Sequence, residues 1–248
     1  MLEIMDETVR ERPLYLDVPW QDFALRSDLQ PAFTQNDGMI RCIDERTPGG
    51  IHVAGSGILL KNEAVAIQLF RQSGIRGITR HAQCGAEAIW AQQNSLTKAA
   101  AEEVLSERAQ RVAKVLAVPY EFIGEKTMQK FGPMHQHQTA TIYYDATGKF
   151  NPATIPDLPL GFVVSRGIYE AETYPLSEVR LAQAIMFGAH GLGEQWFRKN
   201  NKKITIVSIS TKNLPDQKMN QELQTVLPKL SDLVILTGFD AGRWLSSN

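Results

Sequence analysis

Between residues 60 and 73 the apolar side chains Leu60, Ala64, Ile67 and Phe70 recur at helical spacing, with Val65 and Leu69 beside them. Gly74 follows as a left-handed C-terminal cap. Shorter apolar runs flank this helix. Met39-Ile40-Arg41-Cys42-Ile43 comes after the Asp37-Gly38 turn, Ile51-His52-Val53-Ala54 precedes the small residues Gly55-Ser56-Gly57, and residues 75–81 return from the helix. Runs of this length bounded by turn formers read as strands. A strand, a helix and a strand in that order predict a crossover unit with parallel strands. The alternation continues with a helix over 86–93, directly after Cys84, and a long helix over 97–117. Ala101, Val104, Leu105, Arg108, Val112 and Val115 mark the inner stripe of the long helix, and Pro119 stops it. Residues 120–123 form a fourth strand, and residues 138–144 alternate as an edge strand before the Thr147-Gly148 turn.

Three prolines within 151–159 mark a connector into a second series. It holds a strand over 161–164, a helix over 177–198, a strand over 204–210, a helix over 215–230 and a strand over 233–236. Strands this apolar need cover on both faces, so the second series is expected to extend the first sheet or pack on it. The expected fold class is α/β, a mostly parallel central sheet flanked by helices with an α/β C-terminal extension. The expected division is a helical arm over 1–36, a core over 37–155 and the extension over 156–248, within one domain. In the arm, Leu14, Leu16, Val18, Trp20, Phe23, Leu25 and Leu29 are too apolar for a disordered tail and must pack on something. A partner subunit or the chain's own core would serve.

Composition narrows the function classes. The formal net charge of −1 comes from 26 basic and 27 acidic residues with no basic stripe, which argues against nucleic acid as a partner. No stretch approaches the ~20 apolar residues of a membrane span. Residues 1–12 carry Glu3, Asp6, Glu7, Arg10 and Glu11, a pattern of neither a signal nor a transit peptide, so a cytoplasmic location is expected.

The chain has two cysteines, one in Cys42-Ile43-Asp44-Glu45-Arg46 and one in His81-Ala82-Gln83-Cys84-Gly85. Two thiolates and an imidazole supply three ligands of a tetrahedral Zn²⁺, leaving one position for water or for Asp44. Small buried core cysteines would be the commonest alternative, but they do not explain why Asp44, Arg46, His81 and Gly85 accompany them. A disulfide does not fit a chain without secretory features. His52 reads first as a hydrogen-bonded core histidine. His135 and His137 share a strand face, where solvent is a simpler partner than a second metal. The glycines of residues 188–193 follow a helix, which fits close helix packing better than an anion loop.

Cys-x-Asp-x-Arg and His-x-x-Cys-Gly together resemble the signature of the beta-class carbonic anhydrases, with six specified residues in the right order. Val53-Ala54-Gly55-Ser56 sits where that family has a small-residue loop. Tyr143-Tyr144-Asp145-Ala146-Thr147-Gly148 is similar to its edge strand and turn. A divergent group related to the limiting-CO₂-inducible proteins shares the fold. The resemblance implies an enzyme, a lyase that hydrates CO₂ to bicarbonate with a zinc-activated hydroxide. It implies that Cys42, His81 and Cys84 hold the metal, that Asp44 accepts a hydrogen bond from the hydroxide, and that Arg46 holds Asp44 off the metal, Asp44 being a fourth ligand in a closed form. It also implies a homodimer or higher homo-oligomer, with arm residues such as Trp20 and Phe23 against the partner. Two other functions suit the same site: hydrolysis of carbonyl sulfide or carbon disulfide, and a zinc-stabilised bicarbonate-responsive or scaffold protein with little turnover.

Overall fold

Two of the longer helices, Glu63–Gln72 and Lys98–Leu116, begin where a side chain satisfies the exposed backbone. The computed structural model describes residues 16, 18–34, 37–47, 49–60, 62–128, 140–188, 191–227 and 231–245. Helices α1 (Trp20–Arg26) and α2 (Pro31–Thr34) precede β1 (Met39–Arg41), β2 (Ile51–His52), α3 (Glu63–Gln72), β3 (Gly77–His81), α4 (Gly85–Gln93), α5 (Lys98–Leu116), β4 (Tyr120–Ile123) and α6 (Glu125–Met128). Asn62 caps α3 by accepting from Val65 N, and Thr97 caps α5 by accepting from Ala100 N. Gly74 is left-handed past the end of α3, as the sequence predicts, whereas α5 ends on a left-handed Ala117.

The second half runs β5 (Thr141–Asp145), β6 (Phe162–Ser165), α7 (Thr173–Phe187), α8 (Glu194–Lys199), β7 (Ile204–Ser210), α9 (Asp216–Gln224) and β8 (Val234–Asp240). The strands form two four-stranded sheets, ordered β2-β1-β3-β4 and β6-β5-β7-β8. Every pairing in both is parallel. The α/β class is therefore the one expected, built as two parallel sheets flanked by helices. In each sheet the chain steps outward one way and then returns to build the other way. The order thus reverses between β1 and β3 and again between β5 and β7, and ligands of open α/β sheets bind outside the strand ends at such points.

The two sheets meet at the ends of β1 and β2. Val163 N donates to Ile43 O at 3.0 Å, and His52 N donates to Ser165 Oγ at 2.9 Å. One hydrophobic cluster spans this junction, joining Cys42, Ile43, Ala54, Cys84 and Ala86 to Ile142, Phe162, Val164 and the α7 residues Val179 and Ala182. A second cluster lies on the far side of the second sheet.

Four expectations change. The strand predicted over 138–144 is no edge: β5 lies between β6 and β7, and its residues Tyr143 and Tyr144 are fully buried. The helix predicted over 177–198 is two helices, because a glycine-rich turn interrupts the apolar repeat. Gly193 takes φ +74°, and a side chain at Gly191 would strike Met186 O. The inner stripe of α5 is Ala101, Leu105, Ala109, Val112 and Ala113, leaving Val104 and Val115 exposed. Alanines outside the apolar count turned the true face.

The arm is the fourth change. Trp20 stacks on Phe239 with ring centroids 5.6 Å apart and meets Tyr143 edge-on at 5.7 Å. The described residues of the arm thus cap the chain's own second cluster, and Trp20 needs no partner subunit for burial. Residues 1–15, His135, His137 and His190 lie outside the described residues. No helix among the described residues is long and apolar enough to cross a membrane.

Candidate metal centre

Parallel strands that end side by side bring their following residues together. Cys42 follows β1, His81 ends the neighbouring β3, and Cys84 is the residue before α4. A short turn through Gln83, whose φ is +56°, brings Cys84 back beside Cys42. The Cys84 carbonyl accepts the first helical bond from Ala88 N at 3.0 Å, so Cys84 is the N-cap of α4, as expected from sequence.

The three ligand atoms converge. Cys42 Sγ lies 3.6 Å from Cys84 Sγ, and these sulfurs and a ring nitrogen of His81 all lie within 4.8 Å of one another. Two sulfurs on one tetrahedral zinc, each bonded at about 2.3 Å, stand about 3.8 Å apart. Among the described residues this is the one group of three or more His, Cys or acidic side chains that meets at such a distance. His81 Nδ1 donates to Ala82 O at 2.9 Å, which fixes the tautomer and leaves Nε2 for a metal. That Nε2 is buried without a hydrogen-bond partner. A buried ring nitrogen without a hydrogen bond beside two cysteine sulfurs fits a soft divalent ion of the zinc type.

Electrostatics prepare the same chemistry. Burial works to raise the Cys42 thiol, but the hydrogen bond from Cys84 and the facing His81 outweigh it and bring Cys42 down to about 5. Burial likewise works against the His81 imidazolium, yet Asp44 and Cys42 lift it to about 9. Cys84 is held well above its usual range by its hydrogen bond to Cys42 and by burial. Without metal, the site at neutral pH is a Cys42 thiolate, an imidazolium and a Cys84 thiol.

Asp44 and Arg46 sit beside the group, both buried. Asp44 Oδ2 lies 3.9 Å from His81 Nε2, while Oδ1 accepts from Arg46 N at 2.9 Å. The Arg46 guanidinium Nε stands 3.9 Å from the same Oδ1, so the backbone of Arg46 makes the close bond and its side chain supplies charge from farther off. Asp44 falls outside the set of atoms within 4.8 Å of one another. Burial lowers the Arg46 pKa, with Asp44 opposing.

Several supporting residues escape the motifs. Thr47 Oγ1 donates to both Cys42 O and Asp44 O at 3.0 Å, pinning the turn that holds the first ligand. His52 Nδ1 donates to Cys42 O at 2.7 Å, the core-histidine role expected, and burial drives its pKa down to about 4, keeping it neutral. The loop over Ala54–Gly57 is left-handed at Gly55, Ser56 and Gly57. A side chain at Gly57 would collide with the Phe70 ring, so the loop packs close only because glycine is there. Glu178 of α7, outside both motifs, binds this loop through Ala54 N. No sequence pattern pointed to Glu178, which occupies a buried helix face that is apolar apart from it and Gln183.

Comparison with known proteins returns no match: no family model, no curated protein and no solved structure is significantly similar to this chain.

Proposed function

We propose that this protein is a zinc enzyme that hydrates CO₂ reversibly to bicarbonate. The observation carrying this reading is the convergence of Cys42, Cys84 and the bare His81 Nε2, with the Asp44–Arg46 pair beside them. Zinc held by these three residues would supply a Lewis acid that lowers the pKa of water and so makes it a nucleophile. Cys42 and Cys84 would offset its charge, which makes the ion a weaker acid than one held by neutral ligands and puts activity on the alkaline side. Asp44 Oδ2 would accept a hydrogen bond from the attacking oxygen, orienting it. Arg46, through its N–H and its guanidinium charge, would hold Asp44 in that role and off the metal. The apolar wall around Cys42 and Cys84 suits a small uncharged substrate.

A closed zinc site is the second reading, motivated by the 3.9 Å from Asp44 Oδ2 to His81 Nε2, from which a shift of about half an ångström reaches the separation of two ligands of one tetrahedral ion. Metal analysis with stopped-flow CO₂ hydration separates the two. The catalytic reading expects about one zinc per chain, a rate rising with pH, and an Arg46→Ala variant that keeps zinc but loses about a hundredfold or more in rate. Zinc without hydration in the wild type, together with zinc loss in Asp44→Asn, would establish the closed site instead. Release of sulfide from carbonyl sulfide faster than hydration of CO₂ would redirect the substrate.

A further inference from the structure

A carboxyl group is buried in the apolar cluster that holds two of the candidate ligands, near enough for the charge of Cys42 to act on it. Glu178 sits on α7, between Leu176 and Val179 of the cluster that also holds Cys42, Ala54 and Cys84. Only 5% of it is exposed. Its Oε1 accepts two hydrogen bonds, from Ala54 N at 2.9 Å and from the Tyr169 hydroxyl at 3.0 Å. Its Oε2 is buried and has no partner. Ala54 is the second residue past β2, and Val53 N just before it bonds Arg41 O, the residue before Cys42. Glu178 is thus tied to backbone that runs alongside the first metal ligand.

The two bonds identify where the acid's proton resides. An oxygen that accepts twice is the carbonyl-like one, so in the neutral acid Oε2 carries the hydrogen. Burial, with help from the charge of Cys42, raises the Glu178 pKa to about 8 against its two hydrogen bonds, and the acid is neutral at pH 7. A hydroxyl donor left unpaired in an apolar wall is costly, and folded proteins rarely leave one without a reason. Glutamine could serve Ala54 and Tyr169 equally well, so anchoring the loop does not account for Oε2.

We propose that Glu178 is a ligand-binding residue of the metal site: its Oε2–H donates a hydrogen bond to an oxygen of a small planar oxyanion, of the bicarbonate class, held there. The assignment rests on the reading of Cys42, His81 and Cys84 as a metal centre and does not require turnover. It extends the site into the C-terminal half of the chain, beyond the motifs. Oε1 fixes the carboxyl, so the donor is positioned before the ligand arrives.

The experiment is a bicarbonate titration of cobalt-loaded protein, the visible bands of the cobalt reporting both metal retention and anion binding. Glu178→Gln keeps an acceptor and a donor and should bind bicarbonate within about threefold of wild type. Glu178→Leu should retain cobalt yet bind bicarbonate about 10- to 100-fold more weakly, the range for a lost hydrogen bond to a charged group. Equal affinity in Glu178→Leu and wild type would overturn the proposal. Infrared difference spectra of the wild type need no folded Leu variant. A protonated-carboxyl band absent from Glu178→Gln should shift when bicarbonate is added, and a band that stays put would also overturn it. Failure of the catalytic reading looks different: metal and bicarbonate bind through Glu178, but CO₂ is not hydrated.

Discussion

Two of the buried polar groupings among the described residues, one at the candidate metal centre and one in the second sheet, are finished differently. In the second sheet, Arg166 donates from Nε and a terminal nitrogen to the two oxygens of Glu222 at 2.9 and 3.0 Å, and from the other terminal nitrogen to Tyr169 O at 2.7 Å. Tyr144 donates to Glu222 at 2.9 Å. Charges and donors answer one another, as a network that only stabilises must. Around Cys42 and Cys84 the bonding is left open. His81 Nε2, His52 Nε2, Ser56 Oγ, Arg46 Nε and Glu178 Oε2 are all buried without a hydrogen-bond partner. Unpaired buried polar atoms are costly, and although others lie elsewhere, at Trp20 Nε1, Arg108 Nε and Thr237 Oγ1, His81 Nε2 is the one that meets two cysteine sulfurs, where an ion would complete the structure.

The largest expected effect tests the open grouping. Cys84→Ala removes one of the three candidate ligands, and zinc affinity should fall on the order of a thousandfold or more, with the proposed CO₂ hydration lost alongside. Chelator competition measures it. An unchanged zinc affinity would show that Cys84 is a packing residue. The closed grouping should respond the opposite way. Glu222→Leu leaves the Arg166 guanidinium buried and unpaired, which costs about 3–5 kcal/mol of stability. Urea unfolding should show that loss while zinc affinity in the folded protein stays near wild type. A zinc affinity that fell with it would mean the two groupings form a single network.

The same contrast explains what could be read from the chain. Cys42, Asp44, His81 and Cys84 were legible because their chemistry is unusual for residue types placed at strand ends, and the strand, helix, strand pattern around them predicts that those ends adjoin. The parallel class followed from the apolar runs, and the bounds of β4 and β7 coincide with prediction. The pairing of β5 was not legible. Alternation over residues 138–144 describes a strand but not its neighbours, and those lie far along the chain, in residues 162–165 and 204–210. Glu178, Tyr169 and Ser165 escaped for the same reason. Each reaches the site through a contact more than a hundred residues long in sequence, or through another such residue. Trp20 announced that the arm is buried, but hydrophobicity names no partner, and Phe239 and Tyr143 supply it from within the chain.

The smallest expected effect is a count of protons. Metal binding needs a neutral imidazole and two thiolates. In the metal-free site His81 is raised to about 9 and so keeps its proton at pH 6, Cys84 is raised and keeps its own, while Cys42 at about 5 has already lost most of its proton. Zinc should therefore displace about two protons at pH 6, and affinity should rise about a hundredfold per pH unit until His81 titrates near 9. The sign follows from the bound state being the deprotonated one: lowering pH adds protons that the metal must remove. Were the three groups unshifted, both thiols would still hold their protons at pH 6 and the imidazole would be mostly protonated, so between two and three protons would leave. Calorimetry of zinc binding in two buffers of different ionisation enthalpy gives the number directly. Ultraviolet titration of the metal-free protein gives its cause, a thiolate forming with a midpoint near 5 and absent from Cys42→Ser. A midpoint near the ordinary thiol value would mean that Cys42 and His81 do not face each other as an ion pair before metal arrives, and that the centre is assembled by the ion.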